Sequence, residues 1–124
     1  MPAQIIMDRH EYYFEEGCFI TELHNSAEDA AVSVARARVR PGETTRWHRL
    51  QGISERYLIL EGSGVVEIGT AAPQMVGSGK TVVIPPGVRQ RITNTGKGDL
   101  IFLAVCTPRF VPEAYEDVDA RDGE

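Results

Sequence analysis

Glycine and proline fall at fixed intervals through the middle of this 124-residue chain. That punctuation limits what it can fold into more than any other feature. From Gly42 the order is five residues, His48, one residue, Leu50, four residues, Glu55, six residues and Gly62. From Gly79 it is five residues, Pro85-Pro86-Gly87, two residues, Gln90, three residues and Asn94. Glycines at such intervals belong at strand ends, where a positive φ or a close backbone approach is needed. Pro85 cannot donate a ladder hydrogen bond, so it too belongs at a strand end or edge. The spacing favours a small β-barrel.

The runs between these residues read as short strands. Candidates are Cys18 to Leu23, Ala31 to Arg40, Arg46 to Leu50, Glu55 to Leu60, Gly64 to Ile68, Thr81 to Ile84, Gln90 to Thr93 and Leu100 to Cys106. The second alternates cleanly, with Ser33, Ala35, Ala37 and Val39 on one face and Arg36, Arg38 and Arg40 on the other. Glu61-Gly62-Ser63-Gly64 and Asn94 to Asp99 read as hairpin turns, and Pro85-Pro86-Gly87 as a tight turn. Helical periodicity is absent apart from a turn near Pro112 to Tyr115. The expected organisation is one domain: an N-terminal arm with the first strand or strands over residues 1–30, a barrel core over 31–111 and an acidic tail over 112–124.

Hydrophobic residues make up 42% and charged residues 25%, enough for one packed core. A net charge of −5 argues against nucleic acid or an anionic membrane as partner. No apolar run is long enough to span a bilayer, and the N-terminus lacks the pattern of a signal peptide, so a cytoplasmic location is expected. Cys18 and Cys106 have neither metal-type spacing nor a disulfide framework and read as buried thiols. Glu113, Glu116, Asp117, Asp119, Asp122 and Glu124 read as a solvated end, at least beyond Val118.

The two spaced segments resemble the paired motifs of the cupin superfamily. The customary first motif is glycine, five residues, histidine, one residue, histidine, three or four residues, glutamate, six residues, glycine. The second is glycine, five residues, proline, one residue, glycine, two residues, histidine, three residues, asparagine. Every glycine and proline interval matches, whereas Leu50 and Gln90 stand where two histidine ligands are customary. The resemblance implies an all-β fold, a double-stranded β-helix (jelly-roll) barrel. It implies that His48, Glu55 and Gln90 converge at the barrel mouth. An imidazole nitrogen, a carboxylate oxygen and an amide oxygen would suit a divalent ion such as Zn, Mn, Fe or Ni, with no organic cofactor expected. Two other readings stay open. The pocket could be metal-free, with Gln90 hydrogen-bonded to Glu55 or His48. Alternatively, His48 and Glu55 could be an acid–base pair.

A period of two puts Arg46 and Leu50 on the face of His48, and Tyr57 and Ile59 on the face of Glu55. Arg46 could clamp a ligand carboxylate or phosphate, or reach the rim and pair with an acid. Tyr57 could donate a proton or simply pack. Glu55, Tyr57 and Arg46 are the candidate catalytic residues. His24 and His10 read as surface or turn residues. The Arg36, Arg38, Arg40 row could bind an anion, but reads more readily as a solvated face or one paired with acids. The apolar Tyr12-Tyr13-Phe14 and Cys18-Phe19-Ile20 segments would cover the barrel or join a second copy, giving a homodimer. The functional expectation is a small-molecule enzyme: an isomerase, cyclase, lyase or, less readily, a dioxygenase, using a metal to polarise a carbonyl or enol oxygen. A non-catalytic metabolite-binding module and a metal-free acid–base enzyme are the alternatives.

Overall fold

The structure, a computed structural model, describes residues 10–120. Eleven strands form two sheets facing each other as a double-stranded β-helix barrel. In chain order they are β1 (Glu11–Phe14), β2 (Cys18–Ser26), β3 (Asp29–Val39), β4 (His48–Leu50), β5 (Ser54–Glu61), β6 (Ser63–Ile68), β7 (Gln74–Gly77), β8 (Thr81–Ile84), β9 (Gln90–Asn94), β10 (Leu100–Thr107) and β11 (Tyr115–Asp117). One sheet has the order β1-β2-β3-β10-β5-β8, and the other β11-β4-β9-β6-β7.

Two expected hairpins are crossings between sheets. β5 lies in the six-stranded sheet and β6 in the five-stranded one, so Glu61 to Gly64 carries the chain across the barrel. Asn94 to Asp99 does the same between β9 and β10. The two crossings pack together, and Gly62 shows why glycine is required. Its φ is +89°, and a Cβ there would lie 2.7 Å from the Asp99 carbonyl oxygen. Asn94 ties the second crossing by donating from Nδ2 to the carbonyls of Val39 and Gly98, each at 2.8 Å.

The inward face of each strand follows the period of two. Val39, Ile59, Val66, Ile84, Ile92 and Leu100 are buried and pack one end of the barrel with aliphatic side chains. A smaller cluster of Leu50, Ile53, Cys106 and Ala114 closes the region beneath the chain's last segment. On the outer face, the guanidiniums of Arg89 and Arg91 lie over the Trp47 ring, at 4.2 and 4.5 Å from its centre. The Arg36, Arg38, Arg40 row pairs with acids of its own chain: Arg36 and Arg38 with Glu11, Arg38 also with Asp99, and Arg40 with Glu43.

Both ends of the described chain contribute strands to the barrel. β1 and β2 are integral strands of the larger sheet. The acidic segment is folded against the barrel: a 3₁₀ turn at Pro112–Ala114 leads into β11, which pairs with β4. Cross-strand charge explains it. Arg46 Nε donates to Asp117 at 2.6 Å, and Arg49 Nε to Glu116 at 2.7 Å. Contact extends past Val118, whose backbone N–H donates to the Trp47 carbonyl, while Asp119 accepts from the Trp47 N–H. Asp122 and Glu124, part of the expected tail, lie outside the described residues.

Candidate functional site

Register assembles the site. His48 on β4 faces Gln90 on β9, and Glu55 on β5 pairs with Cys106 on β10. All four are buried. Gln90 is the hub. Its Nε2 donates to Glu55 Oε1 at 2.8 Å, and its Oε1 accepts the Tyr57 hydroxyl at 2.5 Å. The other oxygen of Glu55, Oε2, meets the Cys106 thiol at 3.9 Å, a weak donor at long range. Gln90 is thus hydrogen-bonded to Glu55 rather than to His48.

His48 is held from three sides. Its Nδ1 lies 2.7 Å from the Arg46 carbonyl oxygen, which can only accept, so Nδ1 carries a proton. Its ring stacks on Tyr115 at 5.4 Å between centres and 20° between planes. Its Nε2 faces Glu16 Oε1 at 3.6 Å. That separation is longer than a hydrogen bond, so Glu16 stands beside the imidazole as a close neighbour. Glu16 was not legible as a site residue, since it sits in an acidic doublet before Gly17 that looks like an ordinary solvated turn. Its place is fixed by its own carbonyl, which accepts the Arg46 N–H at 2.7 Å.

Arg46 is placed on the rim, paired with Asp117, and does not line the pocket. Leu50 sits in the apolar cluster with Ile53, Cys106 and Ala114, so no donor occupies that side. His24 bonds Asp29 at 2.8 Å at the β2–β3 turn, far from any role here, and His10 is exposed.

A pocket opens over the inner face of the six-stranded sheet, beneath β1. Its floor is Ser33, Ala35, Ala37 and Ala104, whose small side chains leave the volume that larger ones would fill. Glu55, Tyr57 and Glu16 face it. Burial, reinforced by the negative charge of Glu16, pushes the Glu55 carboxyl up from 4.5 to about 7, against the opposing pull of His48, Gln90 and Cys106. Burial first, and then Glu55 and Glu16, hold the Tyr57 hydroxyl well above its usual range, so it remains a donor. Burial likewise pushes both cysteine thiols up, which makes them poor nucleophiles.

The donor set does not fit a resident divalent ion as it stands. Both ends of the Gln90 amide are engaged, Leu50 offers nothing, and among the described residues no three His, Cys, Asp or Glu side chains group to hold a metal.

Comparison with known proteins agrees with this architecture. A curated relative, the uncharacterised protein MJ1618 of Methanocaldococcus jannaschii, is 32% identical over 110 residues, covering 87% of this chain and 85% of its own. Among solved structures, Pac13 from Streptomyces, described as a unique nucleoside dehydratase, superposes with a TM-score of 0.75 at 18% identity, covering 90% of this chain and 85% of that one. The capsular polysaccharide assembling protein CapF of Staphylococcus aureus superposes with a TM-score of 0.77 at 20% identity, over 90% of this chain but 34% of the larger protein. The Cupin domain family matches residues 35–106, which span both glycine-spaced segments and the strands that carry His48, Glu55 and Gln90. The chain belongs to the cupin family.

Proposed function

We propose that this cupin is a small-molecule enzyme of acid–base type, moving a proton in an isomerisation or elimination reaction, with Glu55 as the transferring group. The observation that carries the reading is a buried carboxyl facing an open pocket, oriented by Gln90 and poised near neutrality. A general acid or base works best when its pKa lies near the working pH. Tyr57 acts as a positioning residue, since its hydroxyl is committed to Gln90. Glu16, backed by His48, supplies a second proton site on another wall of the pocket. In an elimination, the Glu55 carboxylate takes a proton from the substrate carbon. The Glu16–His48 pair gives a proton to the departing hydroxyl, the carbon–oxygen bond breaks, and water leaves. Pac13, described as a dehydratase, does chemistry of this class in a similar barrel, and that likeness supports the fold rather than the substrate.

The test is turnover of small hydroxy-carbonyl and enol metabolites by wild type and Glu55→Gln. Loss of roughly 10²–10⁴-fold in the variant is expected. Unchanged turnover sinks the reading. The metal-assisted version, with His48, Glu55 and Gln90 as ligands, would need Gln90 to release Tyr57 or Glu55. Elemental analysis of wild type and His48→Ala tests it: stoichiometric metal lost in the variant would replace the acid–base reading. The proposal includes a homodimer joined along β1, the end strand of the larger sheet, where Tyr12 and Tyr13 are exposed. Sedimentation velocity checks that. It also includes a reducing, cytoplasmic setting, which suits two free buried thiols and is checked by fractionation.

A further inference from the structure

The chemical character of the pocket wall points to the class of its ligand. Three carboxylates face the cavity, Glu16, Glu22 and Glu55, and among the described residues no lysine, arginine or histidine lines it. Nearby cations are turned elsewhere. Arg36 and Arg38 project from the opposite face of β3 to Glu11, Arg46 pairs with Asp117, and Arg56 donates to Thr107. The remaining large wall groups are aromatic: Tyr12 and Phe14 from β1, Tyr57, Phe102, and Phe110 beyond β10. Negative charge and aromatic faces around one cavity are the two features that hold an organic cation. An anion entering it would meet like charge with nothing to offset it.

We propose that the pocket takes a small organic cation, a protonated amine or quaternary ammonium on an apolar body, and not a carboxylate or phosphate metabolite. The inference rests on the reading above that this pocket is the active site. Two observations carry it together. One is an open pocket walled by aromatic rings and acids. The other is the Glu55 carboxyl, buried and lining that pocket, with Gln90 on Oε1 and the Cys106 thiol 3.9 Å from Oε2. Glu22 marks the outer edge, where it accepts from the Tyr12 hydroxyl at 3.5 Å, and Glu16 lies deeper beside His48. A ligand ammonium between them relieves the mutual repulsion of the three acids. It also holds Glu55 as the carboxylate, so that the bound enzyme presents a base.

The experiment is isothermal titration of the full chain with 2-phenylethylamine, its near-isostere 3-phenylpropionate, and tetramethylammonium, in mildly alkaline buffer at low and high salt. The amine is expected to bind at least about tenfold tighter than the carboxylate, with an advantage that shrinks as salt rises. Glu16→Gln and Glu22→Gln, checked for unchanged melting, should each weaken the amine by roughly fivefold or more and leave the carboxylate no weaker. Equal or tighter binding of 3-phenylpropionate overturns the proposal, as does no binding of either cation at millimolar concentration. The two readings fail separately. Undiminished turnover in Glu55→Gln removes the acid–base reading whatever the ligand's charge. A preference for the anion removes this inference whatever Glu55→Gln does.

Discussion

The two ends of the barrel are built on the same strands to opposite purposes. Along the inner face of β3 the side chains run Ser33, Ala35, Ala37, Val39, from small to large. Near Val39 the interior is filled by Ile59, Val66, Ile92 and Leu100, and the sheets approach so closely that a Cβ at Gly64 would lie 3.0 Å from Leu100 Cδ2 on the facing sheet. Near Ser33 the same strands leave an open volume bordered by Glu55 and Tyr57. The filled end supplies burial and cooperativity. The open end spends stability on a desolvated carboxyl and on space. Substitutions at the first end should therefore register in folding, and at the second in chemistry.

The largest effect expected is at the filled end. Leu100→Ala should cost about 4 kcal/mol in chemical denaturation, because the fully buried side chain touches a crossing that cannot relax. A cost below about 1 kcal/mol would erase the distinction between the ends. Next is the pH dependence of stability at the open end. The folded Glu55 is raised from 4.5 to about 7, so its contribution is fully present below 4.5 and is lost as pH rises through about 7. The loss is on the order of 3 kcal/mol across that window, and Glu55→Gln should abolish it. Melting curves of both proteins through the window check this, and parallel curves contradict it. The depressed carboxyls of Glu11, Glu116 and Asp117 weaken the fold only at lower pH, so the two regimes separate.

Tyr57→Phe should cost about 1–2 kcal/mol by leaving the buried Gln90 oxygen without its donor. It should also lower turnover and shift the pH profile, as a positioning role requires. The smallest expected change in stability is for Ala35→Leu, within about 1 kcal/mol, because the added atoms enter open space rather than a packed core. The same variant should abolish binding of 2-phenylethylamine. Full binding there would mean that the ligand sits elsewhere.

The barrel was legible because glycine and proline requirements are local: φ, a missing donor and strand length all act at one residue. Three strands are absent from the reading: β1, β7 and β11. β11 is acidic and pairs because Arg46 and Arg49 lie across from it. β7 is mostly exposed, with Met75 turned outward, and joins the core through Val76 and its ladder to β6. Gly62 was read as a hairpin turn because a glycine turn looks alike whether the chain doubles back or crosses to the facing sheet. In the site, period two grouped Glu55 with Tyr57, and both are buried facing the same interior. It grouped Arg46 with His48 as well, but β4 begins only at His48, so the alternation does not extend back to Arg46. Glu16 gave no signal because nothing in a Glu15-Glu16-Gly17 turn shows which distant strand it will face.

β11 has a consequence for the order in which the molecule comes apart. It is three residues long, and the ion pairs that fasten it are largely exposed and so individually weak. Yet its Tyr115 forms one wall of the His48 ring, while Phe14 meets Tyr115 edge-on from the other end of the chain. The histidine is thus clasped by segments from near both termini, and a clasp of this kind opens before the barrel does. Amide exchange should reach the Tyr115 to Val118 backbone well before β5 or β10. A brief release there would uncover the His48 ring while leaving the carboxyl on β5 in place.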